Sequence, residues 1–275
     1  MTDENPPVRG IDVGRPSVAR VYDFWLGGEN NFASDRDMGS RMAELNPALP
    51  QLVRQNREFI CAAAARAAAA GIGQFLDLGS GLPSHPAVHE AVREVIPDAR
   101  VCYVDIDPVA VLHGEGLLAG GEGLAAVQAD LADPEAVLAN PKVRAVIDMA
   151  QPTALILAAV VHFMPANEAA ALCGEYMRRS APRSWLIVSS GHYQDKELAS
   201  RLQETATHIR FWNHSAADLA SMLGGLEPVA PGVSEARGWI AGTGGEPPAT
   251  PVYPLVAVAT KPGQAGQPGP SAEPG

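Results

Sequence analysis

The spacing of apolar positions changes partway along the chain. Val18, Val21, Tyr22 and Trp25 recur at i, i+3, i+4 and i+7, which predicts a helix ended by Gly27-Gly28. The whole stretch from Arg15 to Ala70 reads as helical. A dense polar run, Glu29 to Arg36, interrupts it, and an alanine-rich segment from Gln55 to Ala70 closes it. Beyond Gln74, short apolar runs at 74–78, 100–104, 125–129, 153–163 and 184–189 alternate with helical spacing, as at 165–179. The run from Thr153 to Phe163 is wholly apolar and β-branched, the pattern of a central strand in a parallel sheet. Two further apolar pieces, 226–230 and 252–259, complete the sheet, and Ser215 and Asp218 form a capping box that opens a helix to Leu223. Alternating strands and helices predict an α/β fold, a doubly wound sheet that binds ligands at the C-terminal ends of its strands. The expected organisation is a mobile leader (1–14), an N-terminal helical cap (15–72), the sheet domain (73–262) and a disordered, Gly/Pro-rich tail (263–275).

Composition narrows what such a fold can do. With 275 residues, 47% of them hydrophobic, the chain can build a full core. Its 31 acidic against 20 basic residues leave a formal charge of −11 without a basic cluster, which excludes nucleic acid as the expected partner. Three scattered cysteines (Cys61, Cys102, Cys173) read as reduced core residues. The longest apolar run, 154–161, is too short to span a membrane, and the N-terminus lacks a signal-peptide core. A cytoplasmic protein is expected. The oligomeric state is not encoded legibly.

The chemistry concentrates at Gln74–Pro83, QFLDLGSGLP. An apolar strand carrying Asp77 runs into Gly79-Ser80-Gly81, and helical spacing resumes near Ser84. Glycines let backbone approach a ligand, and a helix start offers free N–H donors. The dinucleotide fingerprint needs a third glycine where Ser84 stands, and the phosphate-binding loop needs a lysine that is absent. What remains is acid-x-Gly-x-Gly. A carboxylate there repels pyrophosphate but suits a ligand bearing ammonium and sulfonium groups, such as S-adenosylmethionine (SAM). Asp105 and Asp130 follow the next two strands, so three acids are expected along one sheet edge. Asp107, before Pro108, fits a helix N-cap, which leaves Asp105 for the ligand.

The chain also resembles class I, Rossmann-like SAM-dependent methyltransferases, and more closely a bacterial family of S-adenosyl methyltransferases long catalogued as a domain of unknown function. RVYDFWLGGENNFASDR (20–36), QNREF (55–59), QFLDLGSGLP, VHE (88–90), YVDIDP (103–108) and VVHFMP (160–165) carry the resemblance. It implies seven strands with the last antiparallel, SAM as cofactor and S-adenosylhomocysteine as product. Asp77, Gly79, Ser80 and Gly81 would lie under the methionine moiety. Asp105 would take the ribose hydroxyls, Ile106 would pack on adenine, and Asp130 would take its amino group with Leu131 beside it. Tyr22 and Arg57 are candidates for the methionine carboxylate. Ile106 stands where this family would be expected to carry Asn.

His162 and then His192 are the candidate catalytic groups, as base or acceptor-orienting group. The Asn/Asp-Pro-Pro-aromatic motif of amino-group and nucleic-acid methyltransferases is absent, which with the charge favours a small-molecule methyl acceptor. The alternatives are a non-catalytic SAM-binding regulatory or accessory protein, and a nucleotide- or NAD-dependent enzyme. Arg20–Arg36, so rich in polar groups, is expected to fold over the cofactor as a lid.

Overall fold

The computed structural model of the protein describes residues 11–243 and 251–263. In chain order, α1 (Val18–Leu26), α2 (Ala33–Leu45) and α3 (Leu49–Ala69) lead into β1 (Gln74–Leu78), α4 (Val88–Arg93), β2 (Arg100–Asp105), α5 (Pro108–Leu117) and β3 (Leu124–Gln128). Next come α6 (Pro134–Ala139), α7 (Pro141–Val146), β4 (Ala154–Ala158), α8 (Ala166–Arg179) and β5 (Trp185–Tyr193). α9 (Lys196–Thr205), α10 (Ala216–Leu223), β6 (Glu227–Pro228), β7 (Ser234–Glu235), α11 (Ala236–Ala241) and β8 (Val252–Thr260) complete the described chain.

The strands form one mixed sheet in the order β3-β2-β1-β4-β5-β8-β6, with the two-residue β7 also paired to β8. Strands β1 to β5 are mutually parallel, and β8 runs antiparallel to β5 and to β6. Strand order reverses between β1 and β4, the switch point at which doubly wound sheets bind ligands. This is the expected doubly wound α/β sheet with an antiparallel strand near one edge. The additional strand is β7, whose two residues leave almost no sequence signal.

Period-two alternation sorts the strand side chains onto two faces. Leu76, Leu78, Leu155 and Leu157 pack with α7, α8 and α10. Phe75, Ile156, Val256 and Val258 pack with Phe59, Ile60 and the alanines of α3, and with Trp239 of α11. The second half of α3 therefore forms part of the sheet's own covering layer. A third cluster joins Val21, Met38, Met42 and Leu49 of the first three helices to Leu198 and Leu202 of α9. Each fully buried side chain of this size contributes about 1.5–3 kcal/mol, so all three interfaces are well anchored.

Two expectations need correction. The run from Thr153 to Phe163 is not one strand: β4 ends at Ala158, Ala159 takes φ 55°, and Val161–Phe163 form a 3-10 turn. Apolarity continues because these residues wall a cavity rather than a sheet interior. No helix begins at Ser84 either, since α4 starts at Val88, capped by Glu90 through the Ala87 N–H at 2.7 Å. The glycine turn is thus separate from the following helix start.

The leader and tail fall largely outside the described residues. From Ile11 onward the chain is tied down. Ile11 packs against Leu82 and Val109, and the Val13 carbonyl accepts from Ser34 Oγ at 2.6 Å. All three cysteines are free and buried. No described helix is long and apolar enough to cross a membrane.

Candidate functional site

Alternation places Asp77 on the same sheet face as Phe75, toward α3, and Asp105 on the same face as Val101. The sheet order sets β1, β2 and β3 side by side, which gathers Asp77, Asp105 and Asp130 around one cavity of about 310 Å³. Its walls also include Gly79, Ser80, Gly81, Ile106, Leu131, Arg57 and Tyr22. Of the twelve site residues expected from sequence, ten meet at this one cavity. His162 and His192 do not.

The glycine turn is shaped by backbone demands. Gly79 has φ 75°, its N–H donates to the Val104 carbonyl at 2.7 Å, and a Cβ there would lie 2.3 Å from Val160 Cγ1. Gly81 has φ 67°, and its N–H donates to Asp105 Oδ2 at 2.7 Å. The Asp107 N–H donates to Asp105 Oδ1 at 2.8 Å. Asp105 thus braces both loops while each oxygen keeps a lone pair for a ligand. Its carboxyl is raised above the ordinary value, mainly by burial, against the pull of these N–H groups.

Asp77 is different. It is 4% exposed and accepts no hydrogen bond from any described residue. Burial, with a smaller push from Asp105 and against the pull of Arg57, raises its carboxyl to about 7. Burial without a hydrogen-bond partner favours the neutral carboxyl in the empty cavity, and a cationic group placed beside it would stabilise the carboxylate instead. Facing the same cavity, Arg57 uses Nε to hold the Pro86 carbonyl at 2.8 Å, while its terminal nitrogens donate to no described residue. An uncompensated acid and a half-used guanidinium at one end match the zwitterionic end of an amino acid. At the other end Ile106 is 64% exposed and Asp130 is exposed, with Oδ1 accepting the Ala132 N–H at 2.9 Å.

Asp107 does cap α5, accepting from the Val109 N–H at 2.8 Å. It also accepts from the buried Arg20 at 3.1 Å and from the Ser17 hydroxyl, and Arg20 reaches Asp35 at 2.8 Å. This buried network clamps α1 over the cavity. The polar run expected to face a ligand instead serves itself. Asp23 Oδ2 accepts from the Asn30 N–H at 3.0 Å and from Asn31 Nδ2 at 2.8 Å, and Arg36 reaches back to the Asn31 carbonyl at 2.8 Å. Gly28 is required because a Cβ would fall 2.1 Å from Asp23 Oδ1. The cover over the cavity is Ser17, Val18, Ala19 and Tyr22, not the 20–36 segment as a whole.

A second cavity, of about 130 Å³, lies between α1, α2, α3, the turn after β4, the loop after α9 and the adjoining ends of β5 and β8. Val18, Tyr22, Ala159 and Phe163 line both cavities, so the two lie against each other with these side chains at their boundary. The face of α1 with helical spacing, Val18, Val21, Tyr22 and Trp25, lines this second space. Tyr22 donates to the Val53 carbonyl at 3.2 Å and accepts from Asn56 Nδ2 at 3.0 Å, so its hydroxyl proton is already engaged. Burial foremost raises its phenol above the ordinary value.

His162 lines this second cavity from the 3-10 turn. Burial, aided by His214, holds its imidazole at about 3, so the ring is neutral at physiological pH. Its Nδ1 faces the Gly191 N–H at 3.4 Å, a long contact that assigns the proton to Nε2. His192, one residue beyond Gly191, points to the other side of β5. There Nδ1 bonds the His214 carbonyl at 2.7 Å and the ring lies 5.1 Å from Tyr253, outside both cavities. Sequence reasoning missed the second cavity altogether. Its walls come from seven separate segments, and only the α1 periodicity hinted at it.

Together these features define a class I, Rossmann-like SAM-dependent methyltransferase fold with its glycine turn and acidic strand ends. A family profile described as S-adenosyl methyltransferase matches residues 4–262. The chain belongs to this family, and its cofactor is S-adenosylmethionine. A structure from Thermobifida fusca YX with a provisional methyltransferase description is 33% identical, covers 93% of this chain and 98% of its own, and superposes with a TM-score of 0.84. A DUF574 family protein from Streptomyces avermitilis MA-4680 is 33% identical, with coverage of 91% and 99% and a TM-score of 0.84. Magnesium protoporphyrin IX methyltransferase from Synechocystis PCC 6803, solved with bound S-adenosylhomocysteine, is 16% identical with coverage of 88% and 92% and a TM-score of 0.54, a likeness of fold. No curated protein matches the chain.

Proposed function

We propose that the protein transfers a methyl group from SAM to a small-molecule acceptor held in the second cavity. The observation that carries this reading is Asp77 and Arg57, both without a partner for their free atoms, in a cavity that shares four wall residues with an adjoining apolar one. Asp77 receives the cofactor's ammonium group and Arg57 its carboxylate. Asp105 receives the ribose hydroxyls, Ile106 and Leu131 flank the adenine, and Asp130 accepts from its amino group. When bound, SAM supplies an electrophilic methyl group on a sulfonium centre.

The chain's own residues supply position rather than acid–base power. Val18, Tyr22, Ala159 and Phe163, at the boundary of the two cavities, align the acceptor and keep water out, and such alignment is the main route to rate in a displacement on an already activated carbon. His162, neutral with its proton on Nε2, orients the acceptor by donating a hydrogen bond. Its depressed basicity makes it a poor proton acceptor at neutral pH. His192 has no part in this scheme. The test is calorimetry with S-adenosylhomocysteine, SAM, NAD and ATP, followed by incubation with SAM and a small-molecule cell extract. Micromolar binding of the first two is expected, as is conversion of SAM to S-adenosylhomocysteine, with the methyl group on a component of the extract, once extract is added. Tighter binding of NAD would overturn the cofactor sites, and binding without turnover by any extract would leave a non-catalytic SAM-binding protein.

A further inference from the structure

The second cavity has a chemical character that names the class of acceptor, an inference that rests on its being the acceptor site. None of its wall residues is Asp, Glu, Lys or Arg. A charged group placed there would lose its hydration without gaining a counter-ion, a penalty of several kcal/mol. The wall is unusually aromatic for a chain that is only 5% Phe, Trp and Tyr. Tyr22, Trp25, Phe163, Tyr193, Phe211 and Tyr253 come to it from α1, the turn after β4, β5, the loop after α9, and β8. Tyr193 and Phe211 are stacked at 5.6 Å. Flat walls with electron-rich faces and electropositive edges complement another flat ring. The volume, about 130 Å³, is close to the roughly 150 Å³ of an apolar protein cavity that admits benzene.

Beyond the tyrosine hydroxyls and the Trp25 indole, the polar side chains of the wall are Asn56, His162 and Ser190. The protonated Nε2 of His162 has no described partner. Asn56, also in the wall, has its Oδ1 buried and unpartnered. One donor and one acceptor suit a single hydroxyl or amino group on an otherwise apolar body. The low basicity of His162 reports the same environment, since a cavity that rejects a proton on imidazole rejects a cationic ligand too.

We propose that this cavity binds an uncharged, single-ring aromatic group bearing one hydroxyl or amino substituent, and that the methyl acceptor is a molecule of this class. Three probes sharing one ring test it: 4-methylphenol (neutral), 4-hydroxybenzoate (anionic) and 4-hydroxybenzylamine (cationic). Each is titrated into the full-length protein saturated with S-adenosylhomocysteine, and binding is read by saturation-transfer NMR and calorimetry. The neutral probe is expected to bind at least about tenfold more tightly than either charged one, a conservative reading of the desolvation penalty. Met42→Trp and, separately, Leu52→Trp fill the cavity from two helices and are expected to abolish binding of 4-methylphenol while leaving S-adenosylhomocysteine affinity unchanged. Equal or tighter binding of a charged probe, failure of all three, or undiminished ring binding in both folded variants would overturn the proposal. Loss of the cofactor reading is distinguishable, because it would show as absent S-adenosylhomocysteine binding with selective ring binding intact.

Discussion

Replacing Asp77 with Asn removes a charge without removing the side chain, and the expected effects on stability and binding have opposite signs. In the unfolded chain this carboxyl has its ordinary value of 3.8, and in the folded, ligand-free protein burial raises it to about 7. Between those values the unfolded state has released its proton while the folded state retains it. Folding stability therefore falls as pH rises through that window, by about 1.4 kcal/mol per pH unit and on the order of 4 kcal/mol at most. Asn carries no such penalty. At pH 8 the ligand-free Asp77→Asn protein should be more stable than the parent, with a thermal midpoint higher by about 2–4 °C per kcal/mol relieved. At pH 4.5 the difference should be small. Binding responds the other way. The ammonium group of S-adenosylhomocysteine loses a charge-assisted hydrogen bond of about 1.5–3 kcal/mol, which is roughly ten- to more than a hundredfold in Kd. For the parent, affinity should rise from pH 5.5 to 8 as Asp77 ionises. Scanning fluorimetry and calorimetry across that range read both effects. A variant that is less stable at pH 8 without ligand, yet binds S-adenosylhomocysteine within about twofold of the parent, would refute the assignment.

Asp107→Ala should cost about 3 kcal/mol in urea unfolding, more than a lone N-cap, because it also strips one partner from buried Arg20. Gly79→Ala should destabilise by about 2–4 kcal/mol and weaken cofactor binding, since it combines a positive φ with a clash against Val160. Asn31→Ala should cost about 1–3 kcal/mol of stability, because the buried Asp23 carboxylate loses one of its two hydrogen bonds and the Gly28 carbonyl loses its donor, with S-adenosylhomocysteine affinity measured by calorimetry unchanged. Hydrogen exchange should show new protection at 17–22 on ligand addition and none confined to 30–36; the reverse pattern would restore the polar run as the lid.

Local signals in the sequence determined much of this protein. The apolar runs located β1, β2, β3 and β5, and the Asp107-Pro108 and Ser215-Asp218 patterns located two helix starts, because caps and alternation act over a few residues. The acid-x-Gly-x-Gly turn and the spacing of three acids after successive strands revealed six of the cavity residues, since a parallel sheet brings consecutive strand ends together whatever the loops do, and the family resemblance added Tyr22, Arg57, Ile106 and Leu131. What lay beyond local pattern needed the tertiary structure. Apolar character alone does not tell sheet interior from cavity wall, so the apolar pattern runs on past Ala158, where β4 ends, into the turn that bears His162. Polar density could not tell a ligand site from a self-satisfied network, and only the folded positions of Asp23, Asn31, Arg20 and Asp35 showed that their hydrogen bonds close on one another. The second cavity depended most fully on the fold. It is bounded by side chains more than two hundred residues apart, from Val18 to Pro254, and its chemistry lies in the charges that folding excludes from it.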